Sequence, residues 1–424
     1  MSKIVVFLFL FSGFVATGQL DYERRITQSL CSPEFQGRGY VNKGDSITAS
    51  FIASEFKNIG LKRFHGSFFQ RFSFDVNTFP GKLDVKQGNR LLIPGIHYLM
   101  DSRSSGGEFV LKAKKISPST LINSELLSRE LQVVLKGNEF NAICINLSGI
   151  SSDTLKKING LSGELAMLLP VIEVTDKKLT WSVSSDRLNF PLIQIQDSVY
   201  HENESISLDC DAVLVKDHSS SNVLGYLKAK KKTKKTIVFS AHYDHLGRMG
   251  EHTLFPGAND NASGTAMLLS LANYFAKHQP DYNLVFIAFA GEEIGLLGSQ
   301  FFVANPLFKL EDIQFLINLD ILGSGEDGIT VVNATLFDRE FKLLQKINDE
   351  SKLLTHVKSR GPAANSDHYW FTQKGVPSFF IYTMGSNKNY HDIFDTYENL
   401  TFSEFNDLKA LLIKFTESFE GLNN

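Results

Sequence analysis

The stretch Thr236–Gly247, TIVFSAHYDHLG, decides how the rest of the chain is read. It opens as a short apolar run of strand-forming residues and breaks off at His242, with Asp244 and His245 close behind. A run this short and this apolar reads as a strand. Further out, LVFIAFAG ends at Glu292 and Glu293, FLINL ends at Asp320, and SFFIY is followed one short loop later by His391. Asp260 sits in GANDNASGTA, just ahead of an amphipathic pattern over 262–277 that puts Leu268, Leu271, Ala272 and Phe275 on one face. Strands alternating with helices predict an α/β domain of three layers, α/β/α. Ligands of open α/β sheets collect at the carboxyl ends of strands. The pattern therefore directs two histidines and several carboxylates to one place.

Imidazole nitrogen and carboxylate oxygen are donors that Zn²⁺ accepts, and Co²⁺ and Mn²⁺ suit the same types. Two cations about 3.5–4 Å apart need a bridging group, and a carboxylate with its two oxygens can bridge. His242, Asp260, Glu293, Asp320 and His391, with Glu292 adjacent, make a sufficient set. Each piece alone is weak. NDNASG by itself is a turn and helix cap, and GEE is a charged loop. Their placement at successive strand ends carries the inference.

The chain has 424 residues, 43% of them apolar, enough for a large core and more than one typical domain. A net charge of −3 gives no basic field for nucleic acid. The N-terminus reads as an export signal over 1–18. Lys3 starts it, Ile4 to Val15 form its apolar part, and Ala16-Thr17-Gly18 is a small-residue cleavage site. The chain is therefore expected to be secreted, or periplasmic and part of the cell envelope, with no membrane span in its mature form. Three cysteines, Cys31, Cys144 and Cys210, match no zinc spacing and are too few for a disulfide scaffold. Residues 19–67 read as helical, with Gly60 as a stop signal. Residues 68–220 read as a mostly β accessory insert, through runs such as LQVVL, NAICINL, ELAMLLPVIEV and DAVLV. Lys-rich KAKKKTKK at 228–235 reads as a solvated turn. The catalytic part is expected over 221–424.

AHYDHLG, GANDNASGTA, FAGEEIGLLGS, NLDILG, SDHYWF and YHDIFDTYENL, in this order, resemble the motif series of the secreted dinuclear zinc aminopeptidases. That larger family also includes glutamate carboxypeptidase, the transferrin receptor and glutaminyl cyclase. QGRGYVNKGDSITASFIASEFKNIGL resembles the helix that opens its catalytic domain, and residues 68–220 stand where many members carry a protease-associated insert. The resemblance implies a zinc-exopeptidase fold about a mixed, mostly parallel sheet. It implies two Zn²⁺ per chain, with His242 and Asp320 on one, Glu293 and His391 on the other, and Asp260 bridging. Glu292 matches the general base that takes a proton from the attacking water. Asp244 matches a carboxylate that stands behind the ligand histidine and fixes its tautomer. Tyr390 matches a position that steadies the tetrahedral oxyanion in some members. His245 matches no ligand position, Asp367 and His368 are read as structural support beside the cleft, and Arg360 and Gly361 stand near the expected substrate pocket.

The implied activity is a zinc-dependent aminopeptidase acting on peptides with a free N-terminus. A carboxypeptidase of the same fold would need clustered basic residues, which the motifs lack. A glutaminyl-cyclase-like enzyme would work with a single zinc. A non-catalytic binding ectodomain would have lost ligands that this chain retains. Oligomeric state and side-chain preference are not readable from these motifs.

Overall fold

The computed structural model describes residues 20–419. The export signal expected over 1–18 lies outside the described residues. Eight strands form one large sheet: β1 (Phe69–Thr78), β2 (Val213–Leu227), β3 (Thr236–His242), β4 (Asn283–Phe289), β5 (Ile313–Leu319), β6 (Ile329–Val332), β7 (Val357–Ser359) and β8 (Ser378–Thr383). Their order across the sheet is β1-β2-β4-β3-β5-β8-β6-β7. The central β4, β3, β5 and β8 are parallel. Antiparallel pairs β1–β2, β2–β4 and β6–β8 make the sheet mixed. β4 and β5 flank β3 on opposite sides, so the chain leaves β3 first one way and then the other. That reversal opens a crevice at the carboxyl ends of the strands.

Seven helices cover the sheet: α1 (Asp21–Cys31), α2 (Gly44–Ile59), α3 (Gly264–Lys277), α4 (Leu297–Ala304), α5 (Asp338–Ser351), α6 (His368–Gln373) and α7 (Phe405–Glu417). Ile237, Phe239, Leu284 and Phe286 point into the core shared with α1, α2, α3, α5 and α7. Their neighbours Val238, Val285, Ile287 and Phe289 face Phe302 of α4 and Phe371 of α6. Burial on both faces is why these strands read as unbroken apolar runs. The Phe239 ring packs at 5.7 Å from Phe286 and 6.1 Å from Phe275 of α3, tying that helix to the sheet.

The expected insert boundary at 220 falls within β2, and that at 68 immediately precedes β1. β1 and β2 pair with each other along their length, from Phe69 opposite Val223 to Thr78 opposite Val213, and so extend the large sheet. Two smaller sheets lie between them, one of four strands and one of five. This segment holds more helix than the sequence reading gave it. LQVVL lies in the helix Ser124–Lys136, whose first turn is capped by the Asn123 side chain accepting from the Glu125 and Leu126 amides. Leu127, Leu131 and Val134 bring a helical stripe to the local core. That spacing extends beyond the five-residue run, where strand and helix are hard to tell apart. In ELAMLLPVIEV only Val171–Thr175 is strand, preceded by a helical turn at Leu161–Leu165.

The lysines of KAKKKTKK are largely exposed in the loop from β2 to β3. Cys31, Cys144 and Cys210 are free thiols. Among the described residues no helix is long and apolar enough to cross a membrane.

Candidate metal centre

His242 is the last residue of β3, Glu292 and Glu293 follow β4, Asp320 follows β5, and His391 lies on the loop after β8. Four adjacent strand ends thus deliver these side chains to the crevice, and the loop before α3 adds Asp260. His242 Nε2 is 3.2 Å from Asp260 Oδ1 and 3.2 Å from Asp320 Oδ1. His391 Nε2 is 3.1 Å from Asp260 Oδ2 and 3.1 Å from Glu293 Oε2. Asp260 therefore turns one oxygen to each imidazole.

The loop that carries Asp260 is fixed by hydrogen bonds that explain its composition. Asn261 donates to the Leu319 carbonyl at 3.0 Å and accepts from the Gly264 amide at 2.9 Å. Asn259 accepts from the Gly323 amide, and Ser263 donates to Asn259 and accepts from Leu322. Thr265 donates to the carbonyl of His242. From below, the fully buried Arg38 donates to the carbonyls of Leu30, Tyr243, Pro256, Gly257 and Asp260. From the other side the buried Asp395 carboxylate accepts from the amides of Asn259 and Asp260 at 2.9–3.1 Å. Burial pushes the Asp395 carboxyl up to about 7, against the pull of those amides.

Both histidines turn Nε2 inward because main-chain carbonyls hold Nδ1. His242 Nδ1 lies 3.1 Å from the Asp244 carbonyl and His391 Nδ1 lies 2.9 Å from the Trp181 carbonyl. A carbonyl can only accept, so each Nδ1 carries a hydrogen and, in the neutral ring, Nε2 keeps its lone pair. That is the tautomer a metal needs. The Asp244 carboxylate does not perform the tautomer-fixing role expected of it. It stands 3.9 Å from His242 Nδ1 and instead accepts from the Glu292 and Glu293 amides and from the Tyr40 hydroxyl. Burial raises it to about 6. Its geometry shapes the turn after β4.

Ser366, in SDHYWF, donates to Asp320 Oδ2 at 3.0 Å and leaves Oδ1 facing His242. The same hydroxyl accepts from Asn318, whose side-chain oxygen accepts from Ser240 on β3. Asp367 and His368 are fully buried beside the crevice, and burial pushes Asp367 up to about 7. Glu292 is held well above the usual carboxylate range by burial, assisted by Asp320, Asp367 and Glu293 and opposed by His242. Burial pushes the His391 imidazole down, but Glu293 and Asp260 outweigh it and carry it up to about 11. Tyr390 is 47% exposed, with its ring stacked 3.9 Å from that of His391.

The donors suit divalent cations. His242, Asp260 and Asp320 offer atoms within 4.8 Å of one another, and so do His245, Asp260 and Glu293. Four carboxylates (Asp260, Glu292, Glu293, Asp320) converge here against two inward imidazoles, a buried excess of negative charge that bound cations would neutralise.

Residues 222–416 match the family model described as Peptidase family M28. Through this segment the chain is similar to that family. It is 28% identical over 216 residues to aminopeptidase YwaD of Bacillus subtilis, covering 47% of this chain and 44% of that protein. It is 41% identical over 106 residues to a probable zinc metalloprotease of Pyricularia oryzae, covering 24% of this chain and 21% of that one. The chain thus spans less than half the length of these curated relatives. The solved structure of BSAP, a zinc aminopeptidase from Bacillus subtilis, shares the fold over 95% of this chain and 96% of that one, with a TM-score of 0.68 at 18% identity.

Within the matched segment, every residue expected as a ligand lies in the one crevice. His245, which matched no ligand position, is fully buried and sits 2.6 Å by Nδ1 from Glu293 Oε1. Arg38 was not among the expected site residues, because its partners lie far along the chain. Nor was Asp395, hidden among the acidic residues of HDIFDTYEN.

Proposed function

We propose that this chain is a secreted zinc aminopeptidase, with two Zn²⁺ ions and Glu292 as general base. The observation that carries the reading is the orientation of Asp260, with Oδ1 toward His242 and Asp320 and Oδ2 toward His391 and Glu293. His242 and Asp320 would hold one ion, Glu293 and His391 the other, and Asp260 would bridge them. When bound, such ions acidify the attacking water and polarise the scissile carbonyl.

Glu292 belongs to none of the close ligand contacts and is free to accept a proton through its carboxylate. Its raised proton affinity suits a group that takes a proton from water and returns it to the leaving amine. The half-exposed Tyr390 hydroxyl is available to donate to the developing oxyanion. The carboxylates of Asp260, Glu293 and Asp320 contact histidines and Ser366, and among the described residues no lysine or arginine forms an ion pair with them. A cleft of this charge favours a substrate ammonium over a C-terminal carboxylate, which supports the aminopeptidase over the carboxypeptidase.

The test is metal analysis paired with peptides whose N-termini are free or blocked. Two zincs per chain and cleavage of free N-termini are expected. Cleavage only of blocked peptides overturns the aminopeptidase reading. One zinc with cyclisation of N-terminal glutamine indicates the cyclase chemistry instead. Glu292→Gln should lower kcat by about 10²–10⁴-fold with zinc content unchanged. Loss of zinc in that variant would make Glu292 a ligand.

A further inference from the structure

The two inward imidazoles are held by different parts of the molecule. His242 is oriented by the Asp244 carbonyl, two residues along its own chain. His391 is oriented by Trp181, which lies in the segment between β1 and β2, 210 positions away. The contact is reciprocal: His391 Nδ1 donates to the Trp181 carbonyl at 2.9 Å, and the Trp181 amide donates to the His391 carbonyl at 2.8 Å.

Trp181 is itself firmly seated. It is 6% exposed, its ring stacks 4.8 Å from Phe255, and its indole N–H donates to the Met100 carbonyl at 2.9 Å. Beside it, the Lys178 ammonium pairs with Asp392, a carboxylate only 3% exposed, and donates to the Lys388 carbonyl at 2.8 Å. Ile393 packs on the accessory core. Gly95 lies against it so closely that a Cβ there would come within 2.7 Å of Ile393 Cγ2. Residues 388, 391, 392 and 393 are thus all gripped by the accessory segment.

We propose that the accessory segment is a working part of the metal centre, in which Trp181 and Lys178 are positioning residues that hold His391 in the orientation the second cation requires. The inference rests on the two-zinc reading above. The partner that orients a ligand imidazole typically contributes about 10–100-fold to metal affinity. Here that contribution comes through a loop clamp, so it should be lost selectively: the cation on Glu293 and His391 should weaken while the one on His242 and Asp320 does not. Lys178→Met retains the aliphatic stem, removes the ammonium and leaves the Asp392 carboxylate buried without its cation.

The experiment is zinc titration of the full chain against a competing chelator, with circular dichroism as the check on folding. Wild type should show two zincs per chain. Lys178→Met should keep one at wild-type affinity and weaken the other by about ten-fold or more. Lys178→Arg should restore most of the loss, and so should Asp392→Asn in the Lys178→Met background, by removing the stranded charge. In ¹⁵N-histidine-labelled, zinc-loaded protein, the hydrogen-bonded Nδ1–H signal of His391 should exchange faster in Lys178→Met, a change that general destabilisation without loop release would not confine to one histidine. Two zincs at wild-type affinity in Lys178→Met, or equal weakening of both, overturns the proposal. A wild-type chain that saturates at one zinc overturns the functional reading as well, so the two failures are told apart before any variant is compared.

Discussion

Arg38 illustrates how a residue remote from chemistry sets the chemistry. Its guanidinium is fully buried and serves carbonyls from three separate stretches of chain, among them those of Gly257 and Asp260. A planar five-donor fork can satisfy such a ring of acceptors, whereas a lysine has three donors on one atom. Arg38→Met would strand several buried carbonyls, each costing about 1–3 kcal/mol when unsatisfied. Chemical denaturation should register a loss of about 3 kcal/mol or more, with lower metal content in the fraction that folds. A loss below about 1 kcal/mol would mean that water replaces the guanidinium freely. At this scale the sequence was legible where a residue declares its role by type and by local place. His242 and Asp320 end apolar runs, and Glu292 and Glu293 follow one. It was silent where the role is set by contacts across the fold. Nothing near Arg38 or Asp395 in the chain says that both clamp residues 256–260. For Asp244 the carboxylate was expected to face His242, whereas its carbonyl lies 3.1 Å from His242 Nδ1 and its carboxylate 3.9 Å away.

The loop Gly257–Ser263 is the element on which the site turns. Gly257 has φ +58°, and a Cβ on it would run into the Asp260 carbonyl and the His245 ring. Gly257→Ala should therefore cost about 1–2 kcal/mol for the left-handed backbone alone and push Asp260 out of line with both histidines. Zinc binding should weaken at both positions together, in contrast to the selective loss expected for Lys178→Met. Selective loss at one position would mean that the loop yields locally without moving the carboxylate. The motif GANDNASGTA was legible as a turn entering a helix, because Asn, Asp and Ser bond their own neighbourhood. Its partners on the far side, Leu319 at the end of β5 and Ile321 and Gly323 after it, depend on sheet order, which local patterning does not carry. The same limit affected LQVVL. Five apolar-rich residues fit either strand or helix, and the deciding contact at Leu127 lies outside the run, on the rest of the Ser124–Lys136 helix.

Across the whole molecule, the strand–helix alternation gave the three layers in advance, but the edges of the accessory segment depended on which sheet β1 and β2 join, a long-range pairing. That segment, the large sheet and the N-terminal Arg38 all converge on one cluster of charge, so metal loading and pH should act on the stability of the chain as a unit. Without cations, His242 is raised well above its ordinary value and His391 to about 11, against burial, by neighbouring carboxylates. Asp320 and Glu292 are raised chiefly by burial. A group whose folded-state pKa is raised stabilises the metal-free fold below its unfolded pKa, and that stabilisation is lost as pH rises through the folded value. For the histidines the loss runs from about 6.5 upward through the neutral range. Cations require the same groups without their protons, so loading expels protons and gains affinity as pH rises. Both effects have one sign: the difference in Tm between zinc-loaded and chelator-stripped protein should widen from about pH 6 to about pH 8. Buried groups away from the cations titrate in both forms and largely cancel in that difference. At free zinc a hundred times Kd, each ion should add about 2.7 kcal/mol. Calorimetry in buffers of different ionisation heat should detect the released protons directly. A Tm difference that is flat or narrows over this range, or loading without proton release, would mean that the imidazoles at 242 and 391 are not what the cations displace protons from.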